Sequence, residues 1–151
     1  SLPDILEFLQ DLDASQMTFL PHITAVDYLQ RKPRFDVVYV LYSMAKKHML
    51  TVRVQLEETD ISVPSVSHLW GCAGWLEREV FDMYGLNFVG HPDLRRVLLY
   101  EEFEGHPLRK DYAIQASQPR VELLKPARDS VEEYVHFVKG DDRAGGSRAA
   151  D

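Results

Sequence analysis

Apolar residues recur along this chain with two different periods. Ile5, Leu6, Phe8, Leu9 and Leu12 follow Ser1-Leu2-Pro3-Asp4 at helical spacings. This predicts a short amphipathic helix with Pro3 in its first turn, where a missing amide costs nothing. Leu50, Val52, Val54 and Leu56 alternate with Thr51, Arg53, Gln55 and Glu57, the period of a half-buried strand. Phe35 to Met44 is dense in Val and Tyr and predicts a second strand. Ala45-Lys46-Lys47-His48 lies between them as a turn, so the pair is expected to form an antiparallel hairpin. Phe19 to Tyr28 mixes apolar residues with Pro21, Thr24 and Asp27 and reads as a connecting segment. It leads to the basic turn Arg31-Lys32-Pro33-Arg34.

Val63 to Gly85 predicts a long helix, opened by Pro64 and Ser65 and closed by Gly85 as the left-handed residue past its end. Leu69, Ala73, Leu76, Val80 and Tyr84 form a stripe at three- and four-residue spacings, a core face. At about 100° per residue, Trp75, Arg78 and Asp82 project to the opposite side. Beyond Gly85 come the triplets Gly90-His91-Pro92 and Gly105-His106-Pro107, with Val97-Leu98-Leu99-Tyr100 as a short strand candidate among ordered loops. The expected class is α+β: a small, mostly antiparallel sheet covered by helices over residues 1–118, then an extended C-terminal arm over 119–151. In that arm Val121, Leu123, Leu124, Tyr134, Val135 and Phe137 are scattered anchors, and Gly140 to Asp151 holds too little apolar surface to fold alone.

Composition narrows the function classes. Of 151 residues, 45% are hydrophobic and 27% charged, enough for a chain of this size to build a core without staples. The net charge of −7 and the lack of a basic run argue against nucleic-acid binding. One cysteine, Cys72, excludes a disulfide framework and cannot alone hold an iron–sulfur cluster, so any cluster belongs to a partner. No apolar run approaches the roughly 20 residues that span a bilayer. Ser1 to Gln10 resembles neither a secretory signal nor a transit peptide, which predicts a cytoplasmic or already trimmed chain.

Three groups of residues are candidates for chemistry. Glu77, Arg78, Glu79 and Asp82 put three carboxylates into six residues of one helix, the material of a hydrolase or a metal site. Glu77 and Glu79 nevertheless lie about 160° apart, while Arg78 and Asp82 at i and i+4 are placed to pair with each other. His91 and His106, with Asp93 and Asp111 nearby, invite a metal reading. No His-Glu-x-x-His pair supports it, and a residue before proline is held extended, so each His reads better as a pinned loop residue. Arg95-Arg96 and Arg109-Lys110 are candidates for an anion, with ion pairing to neighbouring acids as the alternative. Neither a Gly-rich nucleotide loop nor a nucleophile elbow occurs.

Three stretches together resemble the 30 kDa subunit family of respiratory NADH:quinone oxidoreductase, complex I. They are Trp75-Leu76-Glu77-Arg78-Glu79-Val80-Phe81-Asp82-Met83-Tyr84-Gly85, Phe88-Val89-Gly90-His91-Pro92-Asp93-Leu94-Arg95-Arg96 and Phe103-Glu104-Gly105-His106-Pro107-Leu108-Arg109-Lys110-Asp111-Tyr112. Thr24-Ala25-Val26-Asp27-Tyr28 resembles the family's upstream segment, so the likeness runs from about Phe19 to Tyr112. The resemblance implies a non-catalytic assembly subunit of the hydrophilic arm with no cofactor of its own. FMN, iron–sulfur clusters and quinone are then expected in partner subunits, especially a quinone-site 49 kDa-like subunit and its cluster-bearing neighbours. It also implies a peripheral place at the cytoplasmic face of a bacterial inner membrane, or at the matrix side in a mitochondrion. The motif residues Trp75, Glu77, Arg78, Glu79, Asp82, His91, Pro92, Arg95, Arg96, His106, Pro107, Arg109, Lys110 and Asp111 are then partner-interface or family-motif positions. Related subunits of membrane-bound hydrogenases and photosynthetic NDH-type complexes are an alternative. A freestanding hydrolase built on Glu77, Glu79 and Asp82 is a rival of another class.

Overall fold

The computed structural model describes residues 1–115 and 117–119. Helix α1, Leu2–Asp11, starts where Ser1 donates through its amine and hydroxyl to the Asp4 carboxylate, at 2.6 and 2.7 Å. It buries Leu6 and leans Leu2 and Leu9 on the core, while Ile5 and Phe8 stay exposed. Three strands follow as an antiparallel meander: β1 Phe19–Asp27, β2 Phe35–Ser43 and β3 His48–Leu56, in the order β1-β2-β3. Register pairs Ile23 with Tyr39 and Tyr39 with Val52, so one face carries Ile23, Ala25, Phe35, Val37, Tyr39, Leu41 and Leu56 into the core. Each large aliphatic or Phe side chain among them contributes roughly 1.5–3 kcal/mol on burial, which makes this face the main stabilising surface.

A second unit completes the fold. Strand β4, Ser62–Pro64, runs parallel to β5, Asn87–Val89, and helix α2, Ala73–Tyr84, crosses between them. Parallel strands require such a crossover, since no tight turn can join them. Helix α2 lies against β1 and buries Ala73 and Val80 there, with Val63, Val66, Trp70, Leu86 and Phe88 filling the same core. The expected class, α+β with a small antiparallel sheet and helices, is the observed one.

Three expected elements differ. Phe19 to Tyr28 is not a connection but strand β1. Its pairing shifts between Phe19 and His22, so Pro21 sits in the irregularity, where a missing N–H breaks no ladder bond. Val63 to Gly85 is not one helix: its first part is β4 and a turn-rich connection, and only Ala73–Tyr84 is helical. The Ser65 and Ser67 hydroxyls bond locally and compete with helical backbone pairing, and Gly71 is a poor helix former. Val97 to Tyr100 forms bends rather than a strand, because its amides are taken by a side chain described below. Cys72 stands exposed at the start of α2. The expected arm lies outside the described residues except for Pro119, whose carbonyl accepts the Tyr100 hydroxyl at 3.1 Å; just before it, Gln118 pairs with the backbone of Glu104 at 2.9 and 3.0 Å.

Candidate functional site

The motif residues gather around α2 as three polar clusters that fasten irregular chain to regular structure. The first centres on Asp82, whose side chain has no exposure. Its Oδ2 accepts the N–H groups of Val97, Leu98 and Leu99 at 3.0, 2.8 and 2.9 Å, and its Oδ1 accepts Arg96 at 2.7 Å. Burial pushes the Asp82 carboxyl upward, yet the three amides and the guanidinium outweigh it and hold the group below its usual value. Arg96 continues to the carbonyls of Phe103 and Gly105, at 2.9 and 3.0 Å. His106 Nδ1 is 2.9 Å from the Asp82 carbonyl.

Arg78 does not pair with Asp82 as their spacing suggested. Its guanidinium donates to the carbonyls of Arg95 and Arg96 at 3.1 and 2.9 Å and lies over the Trp75 ring, 4.8 Å from its centroid. The reason is tertiary: the loop after β5 brings backbone acceptors to Arg78 and backbone donors to Asp82. Arg95 pairs with Asp93 on the surface at 2.9 Å, and Pro92 is exposed beside them.

The second cluster surrounds Arg34 and joins the start of β2 to the end of β1 and to the 109–111 loop. Arg34 makes two 2.8 Å bonds to Asp27, a 3.0 Å contact with Asp111 and a further ion pair with Glu58. Asp111 is also gripped bidentately by Arg109 at 3.0 and 2.9 Å, and the Lys110 N–H donates to Asp27 at 2.8 Å. The guanidinium of Arg34 holds the Asp27 carboxyl down against its burial, and Arg109 does the same for Asp111. Thus Arg109 and Asp111 meet in an ion-pair knot, which Lys110 joins through its backbone N–H.

The third cluster is built on Glu77, which has no exposure although its spacing to Ala73 and Val80 puts it on the apolar stripe. It accepts Ser65 Oγ–H at 2.6 Å and Val66 N–H at 2.7 Å, and burial raises its pKa above the usual value. His91 donates from Nε2 to the Gly74 carbonyl at 3.0 Å and accepts the Asp93 N–H on Nδ1 at 3.0 Å, which makes it the pinned loop residue its Pro92 neighbour predicts. Glu77 and Asp82 face different clusters, Glu79 is half-buried, and no group of three metal-capable side chains occurs among the described residues. Pro107, with Leu108, lines a shallow hollow near Tyr112 and Ile114.

Sequence reasoning missed Asp27, Arg34, Ser65 and Tyr39. Asp27 carried a usable signal: it shares the two-residue parity of Ile23 and Ala25, and an acid on a buried face requires a cation. Exposed side chains complete the surface of α2 and its loop, with Trp75 and Leu98 each 63% exposed.

A family model described as the respiratory-chain NADH dehydrogenase, 30 Kd subunit, matches residues 1–118. An NADH-quinone oxidoreductase subunit of Roseiflexus castenholzii is 47% identical over 115 residues, covering 76% of this chain and 66% of that one. The corresponding subunit of Caulobacter vibrioides is 51% identical over 112 residues, covering 74% of this chain and 56% of its own. The chain therefore spans about two thirds or less of these relatives. Among solved structures, a trypsin-resistant fragment of Nqo5 is 39% identical with a TM-score of 0.53, over 60% of this chain and 73% of the fragment. A chain of an archaeal membrane-bound sulfane sulfur reductase shares the fold, with a TM-score of 0.64 at 21% identity, over 97% of this chain and 77% of its own.

Proposed function

Since the chain belongs to the respiratory-chain NADH dehydrogenase 30 Kd subunit family, we propose that it is an assembly subunit in the hydrophilic arm of a proton-translocating NADH:quinone oxidoreductase. In this reading it holds its quinone-site and cluster-bearing neighbours in place, and FMN, iron–sulfur clusters and quinone reside in those neighbours. It sits peripherally, on the cytoplasmic face of a bacterial inner membrane or its mitochondrial equivalent. No helix among the described residues is long and apolar enough to cross a membrane.

The observation that carries the reading is how the charged motif is used. Glu77, Asp82 and Arg96 spend their hydrogen bonds within this chain, most of them on its backbone. The same architecture leaves Trp75 and Leu98 pointing outward. An aromatic anchor backed by an Arg on a stiff frame is the composition of a binding hot spot, where few residues carry most of the affinity. The high identity to relatives named as NADH-quinone oxidoreductase subunits favours that complex over the hydrogenase-type relatives.

The test is affinity isolation of the native chain, with Trp75→Ala and Leu98→Ala compared to wild type. We expect wild type to bring down a flavoprotein module and cluster-bearing subunits. The two variants should keep the unfolding midpoint of the isolated chain and incorporate at least tenfold less, about 1.4 kcal/mol of contact energy. Full incorporation of both variants would refute the docking surface. A nickel–iron hydrogenase subunit in place of the flavoprotein would refute the NADH assignment, and substrate turnover by the isolated chain would refute the assembly role.

A further inference from the structure

Glu77 is enclosed by groups from four parts of the chain. Ser65 and Val66, on the connection from β4 to α2, donate to its two oxygens at 2.6 and 2.7 Å. His91, after β5, brings Nε2 to 3.9 Å from Oε2 while bonded to the Gly74 carbonyl, and its side chain is 3% exposed. Tyr39, on β2, is fully buried with a hydroxyl that has no hydrogen-bond partner among the described residues. Burial, and after it the Glu77 charge, holds the phenol proton on. His68 lies exposed on the connection and acts on Glu77 through its field, and Arg78 and Glu79 flank it on its own helix. Among the described residues only His91 comes within ion-pair distance. A carboxylate buried with neutral donors and no fixed cation is more easily protonated than one at the surface.

The same connection supplies a route to that carboxylate. Ser65 Oγ, 2.6 Å from Glu77 Oε2, is also 2.9 Å from Ser67 Oγ, and Ser67 is half-exposed. The three oxygens form an unbroken chain from the interior to water. We propose that Glu77 is a proton-binding site inside the domain, loaded and unloaded through the Ser65–Ser67 hydroxyl pair, and that loading stabilises the folded domain by removing a buried charge. Loading takes one proton from water onto Ser67 Oγ. Ser67 passes its own hydroxyl proton to Ser65 Oγ, and Ser65 passes its own to Glu77 Oε2. Both serines end neutral and Glu77 ends as the acid; unloading is the reverse.

Loading keeps both links. Oε1 still accepts the Val66 N–H, and the new O–H donates to Ser65 Oγ, so the buried charge disappears while neither hydrogen bond is lost. The segment so held includes Trp70, 6% exposed, whose indole N–H donates to the Thr18 carbonyl at 3.1 Å.

The full chain with carboxyl-labelled glutamate, titrated by carbon-13 NMR and followed by thermal unfolding, tests this. The Glu77 signal should titrate at higher pH than the exposed glutamates. Glu77→Gln should remove that signal and flatten the rise in unfolding temperature between neutral and mildly acidic pH. Ser65→Ala deletes a donor to the charged form, so the midpoint should move further upward. Ser67→Ala should leave the midpoint in place and slow exchange, broadening the signal during titration. A Glu77 signal that titrates with the exposed glutamates, or a midpoint unmoved by Ser65→Ala, overturns the proton site. A Ser67→Ala signal as sharp as wild type overturns the route. Should Glu77→Gln fail to fold, the wild-type and Ser65→Ala titrations still decide.

Discussion

Asp82 shows what one buried carboxylate achieves when its partners are mostly backbone. Three amides and a guanidinium converge on it, so loss of its charge strands donors rather than a single ion pair. Asp82→Asn keeps the shape but turns an NH2 toward groups that themselves donate. The expected loss is about 3–5 kcal/mol, the range for breaking a buried pair from one side, measured by urea unfolding against wild type. The pH dependence follows from the direction of the shift. Asp82 has a folded value held below its ordinary 3.8, so its contribution is fully present above the unfolded value and fades as pH falls through the folded one. Asp27 and Asp111 behave in the same sense. Glu77 is opposite: its folded value lies above the ordinary 4.5, so its contribution is complete below that value and is lost as pH rises through the folded one. In stability measured from pH 2 to 8, Asp82→Asn should therefore lower stability most at neutral pH, where the charge contributes fully, and flatten the acid limb. An unaltered acid limb would show that the carboxylate charge is not what holds the loop.

At the scale of elements, helix α2 depends on how it ends. Gly85 takes φ +76°, the left-handed conformation that closes a helix, and its N–H reaches the Phe81 carbonyl at 2.8 Å. A Cβ placed there would stand 2.7 Å from the His106 ring, which is itself tied to the Asp82 carbonyl. Gly85→Ala thus combines about 1–2 kcal/mol of backbone strain with a steric clash against a ring that cannot swing freely. Replacing His106 by Ala relieves only the clash. A double-mutant cycle between Gly85→Ala and His106→Ala, read by chemical unfolding, should give a coupling of roughly 1 kcal/mol or more. Additive effects would mean that the ring moves aside at no cost. The glycine at the helix end was legible in the sequence, because its position after an apolar stripe has a local cause. The helix start was not, because Pro64, Ser65 and Ser67 are as compatible with a first turn as with the strand and connection they form.

For the molecule as a whole, the core among the described residues runs from Leu6 to Phe88, and the later loops are fastened to it by Asp82, Arg96 and Arg34, while Gln118 ties two stretches of those loops to each other. A chain ending after Pro119 should keep the unfolding midpoint of the full chain. A chain ending after Ile114 loses the Gln118 bonds to Glu104 and Tyr112 and should be less stable by about 1 kcal/mol. Circular dichroism during thermal unfolding separates the two, and a large drop for the longer truncation product would place residues beyond Pro119 in the cooperative unit.

What the sequence determined alone has local causes. Alternation over Leu50 to Leu56 produced a strand, and spacing over Ile5 to Leu12 a helix. Motif order from Trp75 to Tyr112 was sufficient for the family. Tertiary structure decided which charges meet. Arg78 and Asp82 are neighbours on one helix, yet each finds partners on a loop that follows by more than a dozen residues, because backbone groups left unpaired by irregular chain demand them. Likewise Glu77 lies on an apolar stripe where periodicity alone would place a leucine. Ser65 and Val66 donate to its two oxygens, and they reach it only because β4 pairs in parallel with a strand that follows the helix.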